Sequence, residues 1–164
     1  MPAIPKPEKR GPKPRQRIAR VSAKGKRSQV PVQLQEYREK EKRADGLWAL
    51  IVRSLTVACE RCHSRPGHDA HHLVTRTKHL TRWITVNGSH LCRHCHETVG
   101  RPGTDNELLA VSLIGMAGWQ ELNAISNGRG KVDIDLTLMD LDATLRARPR
   151  WVVDEAKRRG LISE

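Results

Sequence analysis

The sequence predicts an α+β fold in which helices flank a small core of two short strands. All four cysteines lie in two CxxC pairs, and the 29 residues between the pairs have room for a strand, a loop and a second strand. Apolar residues at helical spacing precede the first pair, and a long segment compatible with a helix follows the second. The 164 residues are enough for one ordinary domain and tails.

The segment before the first cysteine pair predicts two helices. Residues 32–43 are mostly good helix formers of mixed charge. Asp45 has the character of an N-cap for the second helix, and Gly46 favours a break between the two. The second helix has an apolar stripe formed by Leu47, Trp48, Leu50, Ile51 and Leu55.

The cysteine pairs enclose the two predicted strands. We expect these strands near residues 70–74 and near residues 89–91, with a basic loop between them. Residues 93–99 then predict a short helix that stops at Gly100, where a glycine and proline cluster begins.

The C-terminal third predicts a long helix, a strand and a final helix. The long helix runs from residue 105 to about residue 125, and Gly115 and Gly118 weaken it. Pro149 separates the last helix, at residues 151–159, from the segment before it. A strand is indicated by the alternation of Val132, Ile134, Leu136 and Leu138. The nearby acids are therefore interpreted as a solvated strand face and not as a metal cluster: Asp133, Asp135, Asp140 and Asp142.

Positive charge is concentrated at the N-terminus. Residues 1–31 hold ten Lys/Arg against one acid, which accounts for +9 of the net charge of +12. This proline-rich segment has too few apolar residues to offset the entropy of ordering, so we expect a disordered basic arm. Such an arm binds nucleic acid phosphates, here through residues that include Lys13, Arg15 and Arg17. The domain proper is expected at residues 32–126, with a C-terminal extension at 127–164.

Composition excludes several classes of protein. No apolar run approaches the roughly 18 residues of a membrane span, and the basic N-terminus lacks the apolar core of a secretory signal. We therefore expect a cytoplasmic protein with no membrane partner. Aromatic residues are only 3% of the chain, so the core needs a further source of stability.

The cysteine pairs are Cys59–Cys62 and Cys92–Cys95. Four thiolates in two such knuckles are typical of a tetrahedral structural Zn²⁺ site. Each pair is also followed by a histidine, which gives the CxxCH pattern of c-type haem attachment twice. Haem attachment of this kind requires export, so zinc is the favoured interpretation.

All eight histidines lie between positions 63 and 96. The order CxxC, His71-His72, Asn87 and LCxxCH resembles the HNH (ββα-metal) endonucleases in their zinc-bearing form. Flanking residues, including Asp69-Ala-x-His72-x-x-x-Arg76 and Thr81-Arg82-Trp83-x-x-x-Asn87, are similar to the NinG/Rap recombination family of lambdoid phages. The resemblance covers roughly residues 40–125.

The resemblance implies roles for individual residues. His72 would be the general base, and His71 and His96 would bind a catalytic Mg²⁺ or Mn²⁺ distinct from the zinc. A distorted strand would be needed to aim both His71 and His72 at one site, because neighbours on a strand point to opposite faces. Asn87 would hold the intervening loop. The implied function is metal-dependent cleavage of branched or structured DNA during phage recombination in a bacterial host cell, with recombination or replication proteins as further partners.

Two alternatives remain open at this point. NinG-like sequences have Gly where this chain has His71, which makes Asp69 a competing ligand, and many HNH proteins have a further histidine where this chain has Gly100. The second function considered is a non-catalytic zinc module that binds nucleic acid and assists recombination. His63, His68, His79, His90 and His94 receive no role beyond surface or support.

The basic loop between the strands is a predicted DNA contact. It places Arg76, Lys78 and Arg82 beside the proposed site. Trp83 either stacks on a base or fills the core, and the core is favoured because a small zinc fold needs it. The three other tryptophans are also assigned to the core: Trp48, Trp119 and Trp151.

Overall fold

The computed structural model describes residues 31–99 and 106–163. Within them the protein is α+β, with five helices and one two-stranded sheet. The expected arm at residues 1–31 lies outside the described residues except for Pro31, and so does Gly100. The elements are α1 (Val32–Arg53), β1 (Asp69–His72), β2 (Gly88–Leu91), α2 (Arg93–Val99), α3 (Asn106–Ser126), α4 (Ile134–Arg146) and α5 (Arg150–Arg158).

Helix α1 is continuous, so the predicted break at Asp45 and Gly46 is wrong. Asp45 does not cap a helix but binds two side chains of the loop between the strands. Gly46 serves a close approach: a Cβ there would lie 2.9 Å from a methyl group of Leu161, near the C-terminus. The buried face of α1 includes Leu47, Trp48 and Ile51, as its apolar stripe predicts.

The sheet is a regular antiparallel pair. Asp69 pairs with Leu91 and His72 pairs with Gly88. Its two faces are covered by different helices. On one face a Cβ on Gly88 would collide with Val52 and Trp48 of α1. On the other face His71 contacts a histidine of α2.

The predicted strand at residues 132–138 is wrong, because α4 occupies that segment. Asp133 caps the helix by accepting hydrogen bonds from the backbone N–H groups of Asp135 and Leu136. The buried side chains then follow a helical period, with Ile134, Leu138, Leu141 and Leu145 facing the core. Asp133, Asp135 and Asp140 are exposed, which is consistent with solvated acids, but the face is that of a helix.

Two apolar clusters hold the fold together. The first joins α1, α4 and α5 and includes Trp48 and Trp83. The second surrounds the cysteines with residues from β2 and α3, and Trp119 packs half-buried against it. Trp151 is 59% exposed, so its assignment to the core is wrong: Val152 and Ala156 are the buried residues of α5.

Helix α3 differs from the other described helices in two ways. Gly115 breaks its regular conformation at φ 73° and ψ 167°, in agreement with the predicted weakness there. Of the described helices, α3 is also the one long and apolar enough to cross a membrane, judged by length and composition. Only 17% of its apolar window is buried, so the sequence-based exclusion of a membrane span does not hold for this segment, and the expected lack of a membrane partner stays a prediction.

Candidate metal and nuclease site

The four cysteines converge on one point. Their Sγ atoms all lie within 4.8 Å of one another, and Cys62 Sγ is 4.0 Å from Cys92 Sγ. A tetrahedral ion with Zn–S bonds of about 2.3 Å places its sulfurs about 3.8 Å apart, so the donor set fits zinc in both chemistry and spacing. The cluster can therefore hold a metal ion such as zinc, and its single centre does not match two separate haem attachments.

Local backbone structure forms the first knuckle. Cys59 N–H donates to the carbonyl of Arg65, and His63 N–H donates to the carbonyl of Cys59. His63 has φ 53°, which turns the chain directly after Cys62. Sequence analysis gave His63 no role, and the structure assigns it this turn. The hydroxyl of Ser64 lowers the pKa of Cys62 to about 6, which favours the thiolate that binds metal.

Asp69, His71 and His96 lie together between the sheet and α2. His96 Nδ1 is 3.9 Å from Asp69 Oδ2, and the rings of His71 and His96 meet edge to face at 5.2 Å. The two candidate ligands that compete in the sequence, Asp69 and His71, thus lie on the same face of β1, as residues two apart on a strand must. Carboxylates and imidazoles are donor types that bind divalent transition metals.

One oxygen of Asp69 lacks a hydrogen bond. Asp69 Oδ2 is buried and accepts no hydrogen bond from the described residues, although Arg93 Nη1 lies 3.4 Å away. Ser89, directly opposite His71 in the sheet, also has a buried hydroxyl without a described partner. Orphaned buried oxygens are costly, and a bound cation is one of the groups that satisfies them. Within the described residues, the four cysteines are the one group of three or more donors that could hold a metal ion as the side chains stand, so cation binding at the cluster of Asp69, His71 and His96 is a proposal.

Asn106 is a site residue that sequence analysis missed. Its Oδ1 lies 3.0 Å from His71 Nε2, and its Nδ2 donates to the carbonyl of Leu73 at 2.6 Å. Thirty-five residues separate Asn106 from His71, and nothing in the local sequence marks this asparagine as a partner. Burial, opposed by this hydrogen bond, lowers the pKa of His71.

His72 lies on the opposite face of β1, against α1. Its ring stacks on Trp48 with centroids 3.8 Å apart and planes at 14°. Its Nε2 lies 2.9 Å from the backbone carbonyl of Arg82. A carbonyl oxygen only accepts, so this contact assigns the proton to Nε2 and leaves Nδ1 unprotonated in the neutral ring. Burial lowers the pKa of His72, opposed by this bond and by the charge of Asp45.

The expected distortion of β1 is absent from the described strand pair. The register runs without a bulge from Asp69 to His72, so His71 and His72 point to opposite faces. The structure therefore places the candidate ligands on one side of β1 and the candidate base on the other.

Arg82 is not positioned as predicted. Its guanidinium binds Asp45 through Nε at 2.9 Å and Nη2 at 2.7 Å, and Nη1 binds Glu41 at 3.0 Å. Only 14% of its side chain is exposed. Burial opposes its charge, but the two carboxylates raise the pKa of Arg82 above its usual value. Because two carboxylates bind its guanidinium and its side chain is mostly buried, the prediction of a DNA contact at Arg82 is corrected to a structural role.

Trp83 and Asn87 are both buried. The indole N–H of Trp83 donates to Asp45 Oδ1 at 2.9 Å, which supports the core interpretation over base stacking. Asn87 Oδ1 accepts from Val74 N–H at 2.6 Å, and its Nδ2 donates to the carbonyls of Val74 and Thr81. Asn87 therefore closes the loop between the strands, the role that the resemblance implies for it.

The remaining predicted residues are peripheral. Arg76 and Lys78 are exposed, and Lys78 Nζ donates to Asn127 Oδ1 at 2.8 Å. Lys13, Arg15 and Arg17 lie outside the described residues. Among the unassigned histidines, His90 is buried with Nδ1 2.8 Å from the carbonyl of Thr56.

Comparison with known proteins adds no relative. No family model, curated protein or solved structure matches this chain. The residues and contacts described above are therefore the basis for assigning a function.

Proposed function

We propose that this chain is a metal-dependent DNA endonuclease of the HNH type, which cuts branched or structured DNA during phage recombination in the bacterial cytoplasm. One observation carries the proposal. Asp69, His71 and His96 lie together on one face of β1, and the next residue of the strand, His72, has its Nε2 on a carbonyl and an unprotonated Nδ1 on the other face.

His72 has the features of a general base. Its hydrogen bond to the Arg82 carbonyl fixes the tautomer in which Nδ1 accepts a proton. Its lowered pKa keeps the ring neutral near pH 7, which a base requires. The stacked Trp48 holds the ring in one orientation. In the proposed reaction, Nδ1 takes the proton from the water that attacks the phosphodiester.

Asp69, His71 and His96 would hold the catalytic divalent ion. The ion supplies Lewis acidity toward the scissile phosphate when it is bound. Asn106 orients His71 through Nε2, as partners of metal-binding histidines do. In this proposal Asp69 and His71 are both ligands and not alternatives, because one strand face presents both.

Affinity for DNA would come from basic residues outside this centre. Arg76 is exposed four residues after His72, and the proposed arm at residues 1–31 adds most of the net charge. Contacts of this kind attract the phosphate backbone without reading sequence.

The test is cleavage of supercoiled, linear, forked and four-way DNA with Mg²⁺ or Mn²⁺. His72→Ala is expected to lower the cleavage rate by about 10²–10⁴-fold while binding is kept. The matched control is His79→Ala, because His79 is an exposed histidine of the loop that follows β1 and has no proposed part in the reaction. Equal cleavage by both variants would remove His72 from the reaction.

A non-catalytic zinc module that binds DNA is the second candidate. It is favoured by one observation: within the described residues, the four cysteines are the one group of three or more donor side chains close enough together to hold a metal ion. This candidate predicts that the wild-type protein binds all four DNA substrates and cuts none of them with Mg²⁺, Mn²⁺, Co²⁺ or Ni²⁺.

A further inference from the structure

A small cleft lies between the first cysteine knuckle and the start of α2. It has a volume of about 190 Å³ and is lined by Arg65, Pro66, His68, Cys92, Arg93 and His94. We call it the arginine cleft. Its lining contains two arginines and two histidines and no carboxylate.

The two arginines of the arginine cleft are available to a ligand, unlike Arg82. The side chain of Arg93 is 70% exposed, against 14% for Arg82. Arg65 is exposed, and no acidic side chain of the described residues pairs with it. The single described acid near Arg93 is Asp69, at 3.4 Å. Two accessible guanidinium groups around a concave surface are suited to an oxyanion, which they bind through several N–H donors.

The backbone around the arginine cleft is held in place by the knuckles. The carbonyl of Arg65 accepts from Cys59 N–H at 2.8 Å, and His68 N–H donates to the carbonyl of Leu91 at 2.9 Å. Cys92 forms part of the wall. The cations are thus attached to a backbone that the cysteine cluster and the sheet fix, so less entropy is lost when they bind a ligand.

We propose that the arginine cleft binds one backbone phosphate of the DNA that the candidate centre cuts. This inference rests on the proposed function for the identity of the polyanion. Contact between Arg93 and Asp69 connects the cleft to the candidate metal centre. A strand in the cleft therefore passes beside the centre, and the cleft acts as a positioning site without touching the reacting atoms.

The test is the salt dependence of DNA binding. Fluorescence anisotropy of a labelled duplex is measured without added divalent metal, so that nothing is cut. We expect the double variant Arg65→Gln/Arg93→Gln to lose one phosphate contact. The slope of the logarithm of the association constant against the logarithm of the salt concentration then becomes less negative by about 0.9, and binding at about 0.1 M salt becomes about eightfold weaker. Arg150→Gln is the matched control, because Arg150 is 95% exposed on α5 and lies outside the cleft. Its slope is expected to equal that of the wild type.

A second double variant distinguishes the loss of positive charge from structural damage to the cysteine knuckles. Arg65→Lys/Arg93→Lys keeps both cations and is expected to keep the wild-type slope. An equal loss of affinity in the Lys and Gln variants would overturn the proposal, and so would an unchanged slope in the Gln variant. Inorganic phosphate is then compared with chloride as a competitor at the same ionic strength. If phosphate displaces the DNA more than chloride does, but the Gln variant has the wild-type slope, the cleft binds an adventitious ion only and the proposal is overturned.

Failure of the arginine cleft and failure of the nuclease are distinguishable. If the salt dependence of DNA binding is less steep for the Gln variant but the wild type cuts no DNA with any metal, the phosphate site in the cleft is supported and the nuclease function fails. If the wild type cuts DNA and the Gln variant keeps its slope, the nuclease stands and the cleft is overturned.

Discussion

Replacement of Asp45 by Asn tests whether the loop between the strands is anchored to α1 by one carboxylate. Asp45 accepts two hydrogen bonds from Arg82 and one from the indole of Trp83. Asn keeps the shape but removes the charge and one of the two acceptor oxygens. Arg82 then keeps Glu41 as its one carboxylate partner among the described residues, while its side chain stays largely buried.

The expected destabilisation follows from the burial of the pair. Breaking a fully buried ion pair costs about 3–5 kcal/mol, and breaking an exposed one costs about 0–1 kcal/mol. Arg82 is 14% exposed and Asp45 is 35% exposed, so solvent screens the pair in part, and Glu41 also compensates in part. We expect about 2 kcal/mol, which corresponds to about 6 °C in Tm for a chain of this size.

The change in the free energy of unfolding is measured by urea unfolding, followed by tryptophan fluorescence. The zinc concentration is held constant, because a bound metal shifts the apparent stability. The matched control is Lys40→Gln, which removes another ion pair of α1. That pair, Lys40–Asp135, is 42% and 65% exposed, so its loss is expected to cost less than about 0.5 kcal/mol. If the two variants unfold at the same urea concentration with equal slopes, the carboxylate of Asp45 is not an anchor.

Three further predictions concern the cysteines, the buried asparagine and the kinked helix. Cys59→Ser is expected to lower bound zinc from about one ion per chain to well below that value, as measured by elemental analysis after purification without chelator; retention of a full equivalent would contradict the four-cysteine site. Asn87→Ala leaves the N–H of Val74 and two carbonyls without their partner, so we expect a loss of about 3 kcal/mol in urea unfolding; a loss below about 1 kcal/mol would show that water replaces the amide. Gly115→Ala has free space for its Cβ, but φ of 73° is unfavourable for a side chain, so we expect a destabilisation of about 1–2 kcal/mol; a gain in Tm would show that α3 is straight at this position in solution.

Local signals predicted the centre of the fold well. The strands at residues 69–72 and 88–91 and the helix at residues 93–99 lie within a few residues of their expected positions. Each is short and lies next to a cysteine pair, and convergence of the cysteines on one centre follows from their spacing alone. Trp83 was also assigned correctly to the core, where its indole N–H reaches Asp45.

Predictions failed where a distant partner decided the outcome. Asp45 has the sequence character of an N-cap, but its charge pairs with Arg82, which is 37 residues away. Apolar residues at 132, 134, 136 and 138 fit a strand, yet burial of Leu141 and Leu145 on the same face selects a helix. Asn106 could not be found at all, because its contact with His71 exists only once α3 is in place.

Under the proposed function, strand β1 restricts where DNA is cut, because it places His71 and His72 on opposite faces. Adjacent residues of a regular strand face opposite sides, and here those sides are covered by different helices, with Trp48 of α1 on one and His96 of α2 on the other. A phosphodiester on either face reaches one histidine and not the other. His72 is the last residue of β1, so under the proposed function we expect the phosphodiester to cross that end of the strand. Arg76 lies just beyond this end, whereas the arginine cleft contacts Asp69 at the other end of β1. If the proposed function holds, the DNA backbone must therefore run along β1, with one phosphate in the cleft and the phosphate that is cut at the His72 end.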